Sequence, residues 1–310
     1  MGNKAITSYK GFDKNMQCRG FQYEVGKEYE MDGKIKCCNR GFHACKSPME
    51  VWNYYDMLSS RYAEVEQSGK IDEEENSTKV CSSHIKIKAE LKLADIINIG
   101  VEWLKDITSP SKVKKNGVLN DNGDRRKQIG SSGNYAKIGS SGDYAKIGSS
   151  GDYAKIGSSG DHAQIGSSGY YAQIGSSGYS AQIGSSGYYA KIGSSGDYAK
   201  IGSSGYHAQI GSSGDYAQIG SSGDYAKIGS SGYSAKIDST GEDSVIMCAG
   251  NSSIAKAKIG SWITLAEWKW SDEKIRDVPV CVKTEYVDGE NIKADTWYQL
   301  KNGKFVEVNE

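Results

Sequence analysis

The sequence predicts a mainly β protein: a central β-solenoid of nonapeptide repeats, two per coil, capped by an N-terminal α+β domain and a small C-terminal antiparallel β meander. Two observations predict this fold class. The unit IGSSG-x-x-A-[KQ] recurs twelve times between Ile129 and Lys236, and the chain has 39 Gly and 21 Tyr but only 4 Phe and 3 Pro. A fixed period is the signature of stacked repeats. The expected divisions are an N-terminal domain at 1–108, a basic linker at 109–128, the solenoid at 129–258 and a capping segment at 259–310.

Charge and hydropathy argue against a membrane-spanning, secreted or generally nucleic-acid-binding protein. Lys plus Arg and Asp plus Glu both total 38, so no net field attracts nucleic acid or an anionic membrane. No apolar run approaches the ~20 residues that span a bilayer, and the first residues lack the hydrophobic centre of a secretory signal. We therefore expect a cytoplasmic protein without a membrane segment. Under that expectation the seven cysteines are reduced thiols.

The N-terminal region has the patterns of an α+β domain. Ser47-Pro48-Met49-Glu50 has the form of a capping box with Pro at the first helical position, and therefore predicts a helix. Aliphatic residues alternate with Lys and Glu from Ile85 to Leu93, which indicates a half-buried strand. The predicted elements are strands at 6–9, 21–29 and 35–38, the helix from 47–50, strands at 61–68 and 85–93, and a helix at 94–107.

The segment from Cys37 to Cys45, CCNRGFHAC, carries the chemistry worth testing in this domain. Cys38, His43 and Cys45, with Cys18, are zinc-ligand types, but the spacing is not CxxC and packing is the favoured interpretation. A Cys-His nucleophilic pair is the catalytic alternative, although no positioned acid is identifiable. We predict no metal, no cofactor and no catalytic residue, and we keep Tyr9, His43 and Cys45 as an N-terminal site.

The basic linker, residues 109–128, has an excess of Lys and Arg over Asp. Contact with phosphate or an acidic partner is one interpretation of this charge. A solvated connection is the favoured one.

Each repeat reads as a short strand and a turn. Ala136 and Ile138 are two residues apart and share one strand face, whereas Tyr135 and Lys137 share the other. Gly-Ser-Ser-Gly is expected to turn the chain. Disorder is the alternative, since Gly/Ser-rich sequence is typical of linkers, but linkers do not hold an aliphatic residue in register. A nine-residue loop of ~30 Å is too tight for two opposing side-chain layers, which predicts about six coils of about 18 residues.

With two repeats in each coil, odd-numbered repeats lie on one side of the solenoid and even-numbered repeats on the other. The aromatic residue that recurs in each repeat therefore forms two rows, an odd ladder and an even ladder. The even ladder contains serines, whereas the odd ladder is uninterrupted and is flanked by Lys and Gln, so it is the predicted binding surface. Stacking that merely stabilises the solenoid is the alternative. The odd ladder consists of Tyr135, Tyr153, Tyr171, Tyr189, His207 and Tyr225, and the even ladder of Tyr144, His162, Ser180, Tyr198, Tyr216 and Ser234.

The C-terminal segment predicts an antiparallel meander. Its strands are expected at 262–268, 278–287, 296–300 and 304–308, with turns at Asp288-Gly289 and Asn302-Gly303. Exposed solenoid ends carry unpaired strand edges, so both terminal regions are expected to act as caps.

Several motifs carry a family resemblance. They are YKGF at 9–12, GFHAC at 41–45, the Pro-capped segment at 48–55, RYAEVE at 61–66 and GSWITLAEW from Gly260. With these motifs the chain resembles uncharacterised proteins of tailed bacteriophages and prophages. The resemblance implies an N-terminal domain without an assigned activity, followed by repeats that vary between such proteins.

A second resemblance is to ADP-ribosyltransferase-like folds. It rests on the order of a Y-x-G strand, a G-F-x strand end, a helix with paired Tyr, and a strand containing Glu. It implies that Tyr9, His43 and Tyr54 or Tyr55 approach a nicotinamide pocket.

The expected function is that of a non-enzymatic, phage-type interaction protein, whose solenoid presents the odd ladder to a macromolecule in host takeover or in countering bacterial defence. A protein partner is expected, a glycan is the alternative, and nucleic acid is not favoured. Two other functions stay open. One is an ADP-ribosyltransferase-like enzyme with the solenoid as targeting arm, and the other is a glycan-binding virion or surface protein. The oligomeric state does not follow from the sequence.

Overall fold

The structure, a computed structural model, describes residues 5–74, 77–108, 119–120 and 125–309. The chain forms two compact units, residues 1–103 and 104–310. As predicted, it is mainly β, with a central β-solenoid and C-terminal antiparallel strands. The solenoid has about eight turns instead of the expected six, and the N-terminal β domain has one α-helix instead of two. Among the described residues, no helix has the length and apolar character that crossing a membrane requires.

The N-terminal unit is built on one curled sheet of five strands in the order β4-β7-β5-β1-β6, in which β6 also pairs with β7. Phe12, Phe42, Val65, Ile85 and Ile87 form the centre of its core. Its elements are β1 (Ile6–Phe12), β2 (Gln17–Cys18), β3 (Phe21–Gln22), β4 (Glu28–Glu30), β5 (Phe42–Cys45), a 3₁₀ helix (Met49–Asn53), β6 (Arg61–Glu73), β7 (Lys79–Leu91) and α1 (Leu93–Ile107), whose last residues lie in the second unit.

The helix predicted from residues 47–50 is only a short 3₁₀ helix, Met49–Asn53, whose cap, Pro48, makes no side-chain hydrogen bond. The Glu50 carboxylate accepts hydrogen bonds from the backbone N–H and hydroxyl of Thr78. Trp52 is buried in the core, as the pattern indicated.

Two further local predictions needed correction. Residues 35–38 form no strand and make one isolated bridge, between Lys36 and Arg40. Residues 42–45, which the sequence analysis treated as a strand end, form the central strand β5, with β1 on one side and β7 on the other. Its position in the sheet brings the GFHAC motif into the interior of the domain.

The solenoid has two parallel sheets, each of which receives every second strand. Ile156 pairs with Ile138, and Ile165 with Ile147, so the coil is 18 residues long and holds two repeats, as predicted. The first sheet contains β8 (Leu119–Asn120), β10 (Lys137–Ser140), β12 (Lys155–Ser158), β14 (Gln173–Ser176), β16 (Lys191–Ser194), β18 (Gln209–Ser212), β20 (Lys227–Ser230) and β22 (Val245–Cys248). The second contains β9 (Gln128–Ser131), β11 (Lys146–Ser149), β13 (Gln164–Ser167), β15 (Gln182–Ser185), β17 (Lys200–Ser203), β19 (Gln218–Ser221), β21 (Lys236–Ser239) and β23 (Ile254–Ala257).

The solenoid core contains the predicted Ile and Ala columns. Ile165, Ile183 and Ala199 are fully buried, and their equivalents repeat in every coil. The turn was predicted two residues too early, because Gly and the first Ser continue each strand and Ser-Gly-x-x makes the turn. Ser167 and its equivalents are therefore buried as a third inward column, which the sequence analysis missed. Most of the predicted basic linker lies outside the described residues.

The C-terminal strands close the far end of both sheets, as predicted. Trp262 to Leu265 continue the first sheet in parallel with β22, and Tyr298 pairs antiparallel with Ala255 of β23. Trp268 donates an indole hydrogen bond to the carbonyl of Ala249, at 2.9 Å. The strands are β24 (Trp262–Ser271), β25 (Arg276–Tyr286), β26 (Tyr298–Lys301) and β27 (Lys304–Glu307).

Candidate functional site

The residues of both predicted ladders sit at the same point of the turn and have left-handed backbone conformations. The φ angles of Tyr153, Tyr171 and Tyr189 are 56°, 55° and 56°. This region disfavours bulky L-residues and is usual for Gly, Asn or Asp. The backbone N–H of Tyr171 donates to the carbonyl of Tyr188 at 2.9 Å, and the other ladder positions repeat this inter-coil hydrogen bond.

The rings of the odd ladder form one continuous stack. Tyr135, Tyr153, Tyr171 and Tyr189 are nearly parallel, with 8° between successive ring planes and 5.0 Å between centroids. His207 continues the stack at 4.9 Å and 12°. Tyr225 is tilted by 32° at 5.1 Å from His207. The predicted uninterrupted aromatic ladder is present.

The even ladder is broken at Ser180, as its sequence predicted. Tyr144 stacks on His162 at 4.9 Å, and Tyr198 stacks on Tyr216 at 4.8 Å. Tyr179, from the preceding column, bridges the break with contacts to His162 and Tyr198. The even ladder is thus two short stacks joined by a ring from another column.

The two sheets differ in what covers their outer surfaces. We call the outer surface of β10, β12, β14, β16, β18 and β20 the odd face, because each of these strands follows an odd-ladder residue in the sequence. We call that of β11, β13, β15, β17 and β19 the even face. Gly157, Gly175, Gly193 and Gly211 on the odd face are exposed, and a Cβ atom added at any of them would contact nothing.

The even face is buried. Gly166, Gly184 and Gly202 are buried, and so are the side chains of Gln164 and Gln182. At the start of the solenoid, a Cβ added at Gly148 would overlap the Oγ1 atom of Thr108. The same repeated sequence is therefore exposed on one side of the solenoid and enclosed on the other.

The odd face offers a shallow groove that runs along the solenoid axis. Its volume is about 800 Å³, and its floor is the Gly column. One wall is a row of long polar side chains, which begin two residues after each ladder ring: Lys137, Lys155, Gln173, Lys191, Gln209 and Lys227. The lining of the groove combines strand backbone with four ammonium groups, and the odd-ladder rings lie two residues before these lysines and glutamines in the sequence.

The three residues predicted as an N-terminal site lie together. Tyr9 of β1 pairs in register with Cys45 of β5, and His43 is two residues earlier on the same strand. All three line one cavity of about 1030 Å³, together with Tyr54 and Tyr55. The structure thus brings together the residues that the second resemblance assigned to one pocket.

Lys10 is a member of this cavity that the sequence analysis missed. Its side chain is 3% exposed, and its Nζ donates to the carbonyl of His43 at 3.2 Å. The ammonium lies 5.3, 5.5 and 5.9 Å from the ring centroids of Phe12, Tyr23 and Tyr55. Burial lowers the pKa of Lys10, since desolvation disfavours the charged form. The Y-K-G-F motif gave the position of this lysine but no sign of its burial.

The protonation of Cys45 and His43 bears on the Cys-His pair that the sequence analysis kept as the catalytic alternative. Burial raises the pKa of Cys45 to about 12, so the thiol is protonated at neutral pH. Burial, Lys79 and Lys10 lower the pKa of His43. The backbone N–H of Cys38 donates to Nε2 of His43 at 3.0 Å, which fits a neutral ring with its proton on Nδ1. Cys45 therefore holds no preformed thiolate, and the Nε2 lone pair of His43 is occupied by the Cys38 N–H.

The zinc ligands considered from sequence do not converge. Cys18 lies 3.0 Å from the Tyr55 hydroxyl, and Cys38 accepts a hydrogen bond from Lys79 at 3.1 Å. In the part of the chain that the structure describes, the one close group of three ligand types is Cys37, Asp72 and Cys81. Cys38 turns outward because its φ of 66° is left-handed.

These features define the class of this protein: a nonapeptide β-solenoid protein with an aromatic ladder and an N-terminal β domain that encloses a cavity. Residues 6–99 of the chain match a family described as a domain of unknown function (DUF7666). The match covers the region with the YKGF, GFHAC and RYAEVE motifs. No curated protein and no solved structure matches the chain.

Proposed function

We propose that this is a binding protein whose odd face and odd ladder recognise a protein partner. The observation that carries the proposal is the ladder itself: six aromatic rings in register beside an open face. The phage resemblance gives the proposed setting. The partner is expected in the cytoplasm of a bacterium, where the protein acts in host takeover or against bacterial defence.

The backbone conformation indicates that the tyrosine rings do not serve stability alone. A left-handed conformation costs a residue such as Tyr171 about 1–2 kcal/mol, a cost that Gly or Asn largely escapes. Ring stacking returns about 1 kcal/mol for each pair. The two terms nearly cancel, so stability alone does not favour Tyr over Asn at these turns. Partner binding supplies a reason for tyrosine at these positions. The argument applies to both ladders, and the odd one is proposed as the site because its stack is continuous and the face beside it is open.

The stacking geometry favours a protein over a glycan or nucleic acid. Each inner ring has a neighbour about 5.0 Å away on both sides, so both ring faces are covered. Sugars and bases bind aromatic residues by packing on the ring face. A partner of this ladder meets ring edges and hydroxyl groups, which suit hydrogen bonds and side-chain packing at protein interfaces.

The charge of the odd face specifies the partner further. Lys137, Lys155, Lys191 and Lys227 form a basic row beside the ladder. The residues directly before the odd-ladder rings are Asn134, Asp152, Tyr170, Tyr188, Tyr206 and Asp224, so tyrosines occupy the centre of this row. Tyr170 stacks on Tyr188 at 5.2 Å. An acidic protein surface that spans several coils complements this arrangement.

Affinity capture with matched ladder variants tests the proposal. The odd variant carries Tyr153→Asn, Tyr171→Asn and Tyr189→Asn, and Asn tolerates the left-handed backbone at these positions. Bacterial lysate is passed over the wild type and the odd variant, and recovered proteins are quantified by mass spectrometry. We expect an acidic protein that the wild type recovers and the odd variant loses.

The even ladder supplies the control. Tyr144, Tyr198 and Tyr216 have the same backbone conformation and, at 39–43%, the same exposure as the odd-ladder tyrosines Tyr153 and Tyr171. A variant with all three changed to Asn should recover the partner like the wild type. Equal recovery by all three proteins would remove the odd ladder as the site.

The N-terminal cavity supports a second candidate function, ADP-ribosyl transfer from NAD with release of nicotinamide. Tyr9, His43, Tyr54 and Tyr55, which the resemblance assigned to a nicotinamide pocket, line one cavity. Incubation with labelled NAD and cell extract tests it, with His43→Ala as the variant and His84→Ala, outside the cavity, as the control. Label that depends on His43 and not on His84 would support transfer. If no protein in the extract becomes labelled, ADP-ribosyl transfer is rejected.

A further inference from the structure

Three side chains of the N-terminal unit place two sulfur atoms and a carboxylate oxygen within 4.8 Å of one another. They belong to Cys37, Asp72 and Cys81. Asp72 and Cys81 are register partners at one end of the β6–β7 hairpin, and Cys37 comes from the loop between β4 and β5. The cluster therefore joins a loop without strands to the longest hairpin of the domain.

The loop backbone is shaped to present Cys37 to the hairpin. The N–H of Cys37 donates to Oδ2 of Asp72 at 2.7 Å, and its thiol lies 3.1 Å from the Asp72 carbonyl. The left-handed Cys38 reverses the chain and leaves its own side chain exposed. Gly41 permits close contact, since a Cβ there would lie 3.1 Å from Cys81 Cβ. The approach of the loop to Cys81 is thus specified at several residues.

The groups around the cluster leave it able to accept a cation. Lys36 pairs with Asp72 at 3.6 Å, but its side chain is 63% exposed and is free to turn into solvent. The Arg40 carbonyl oxygen lies 4.0 Å from the Cys81 sulfur and adds a further oxygen donor nearby. Neither Cys37 nor Cys81 is part of a disulfide bond.

We propose that Cys37, Asp72 and Cys81 bind one zinc ion. Two thiolates and a carboxylate are zinc ligands, and the soft sulfur atoms select zinc over magnesium or calcium. Binding breaks two S–H bonds, forms two zinc–sulfur bonds and releases two protons to solvent. The three ligands do not line the cavity, whereas Cys38, Asn39 and Gly41 of the same loop do. With the Arg40 carbonyl oxygen or a water molecule as the fourth ligand, the ion holds the loop that contains Cys38, Asn39 and Gly41 against the β6–β7 hairpin.

Cobalt serves as the spectroscopic probe for this site. The full-length chain, reduced and freed of metal, is titrated with Co²⁺ and then with Zn²⁺. We expect cobalt–thiolate charge-transfer absorption that saturates at one Co²⁺ per chain, disappears when Zn²⁺ is added, and is accompanied by a higher Tm with zinc. X-ray absorption of the zinc-loaded wild type should show two sulfur ligands.

Single substitutions separate this site from the other cysteines. Cys37→Ser and Cys81→Ser should abolish the absorption, and Asp72→Asn should weaken Co²⁺ binding by at least about tenfold. Cys38→Ser and Cys18→Ser should bind like the wild type. The proposal is overturned if the wild type shows no stoichiometric thiolate absorption, if zinc has no sulfur ligand, or if Cys38→Ser abolishes binding. The wild-type spectra decide the matter even where a variant fails to fold.

Discussion

The odd face and the even face of the solenoid are built from the same nine-residue unit, yet the odd face is open to solvent and the even face is buried. Gly175 on the odd face is exposed, whereas Gly184, its counterpart in the next strand, is buried. The repeat determines the coil, its register and its core. What lies outside each sheet depends on residues that are not repeated, such as Leu104 and Thr108 beside Gly148.

The contrast matters for function because it makes one ladder different from the other. Both ladders have exposed rings on left-handed backbone, but the odd ladder borders an open groove and the even ladder borders an enclosed surface. A partner large enough to touch several coils therefore reaches the odd face and its ladder together.

The largest loss of stability should come from substitution of the turn glycines, which connect the strands of the odd face with those of the even face. A Cβ at Gly178 would overlap the carbonyl oxygen of Gly160 in the neighbouring coil, whereas one at Gly175, three residues earlier, would meet nothing. Gly178→Ala should lower the free energy of unfolding by about 3 kcal/mol. Gly175→Ala should leave it unchanged within about 0.5 kcal/mol. Urea denaturation measures both, and equal destabilisation would contradict the described coil stacking.

A smaller effect should separate the two faces directly. At Gly148 on the even face, an added Cβ would overlap the Thr108 side chain and lie 3.0 Å from the Leu104 carbonyl oxygen. At Gly157 on the odd face it would contact nothing. Gly148→Ala should therefore cost about 1–3 kcal/mol, and Gly157→Ala should cost nothing measurable. Thermal unfolding of the two variants is the measurement, and a tolerated Gly148→Ala would show that the even face is open.

Removal of one odd-ladder ring should change stability little. Tyr171→Asn loses stacking on two sides but relieves the left-handed strain, so the net change should stay within about 1 kcal/mol. Tyr171→Ala retains the strain without the ring and should be the less stable of the two. If Tyr171→Asn instead unfolds the solenoid, the ladder exists for stability, and the binding proposal loses its main argument.

The smallest structural effect should come from the lysine row. Lys155, Lys191 and Lys227 are exposed, and the repeat already carries Gln at two positions of this row. Changing all three to Gln should leave the free energy of unfolding within about 0.5 kcal/mol of the wild type. Partner binding should weaken and depend less on salt, because fewer charges contribute. Binding with unchanged salt dependence would show that the row is not in contact.

The solenoid was predictable to a large extent because its constraints are local and repeated. Coil length followed from the circumference of nine extended residues, and the odd ladder followed from parity. Asp152 shows the limit of this reasoning. The repeat pattern does not predict that its carboxylate accepts a hydrogen bond from the Tyr170 N–H of the next coil, at 2.9 Å.

The N-terminal unit was less predictable because its contacts are long-range. The predicted helix after Ser47 is only a short 3₁₀ helix, and the Glu50 carboxylate accepts a hydrogen bond from Thr78, 28 residues later. Lys10 is buried by β5 and by aromatic residues from several segments, which no local pattern encodes. Cys37, Asp72 and Cys81 are likewise far apart in sequence, and only the register of β6 and β7 brings two of them together.

Hydroxyl-radical footprinting of the captured complex tests the central claim most directly, because it needs no substitution. Tyrosine oxidation is quantified by mass spectrometry in the free protein and in the complex. The account predicts that the oxidation of Tyr153, Tyr171 and Tyr189 falls on binding, whereas Tyr144, Tyr198 and Tyr216 are oxidised as before. Protection of the even ladder, or equal oxidation of both ladders in the free and bound states, would contradict recognition by the odd face.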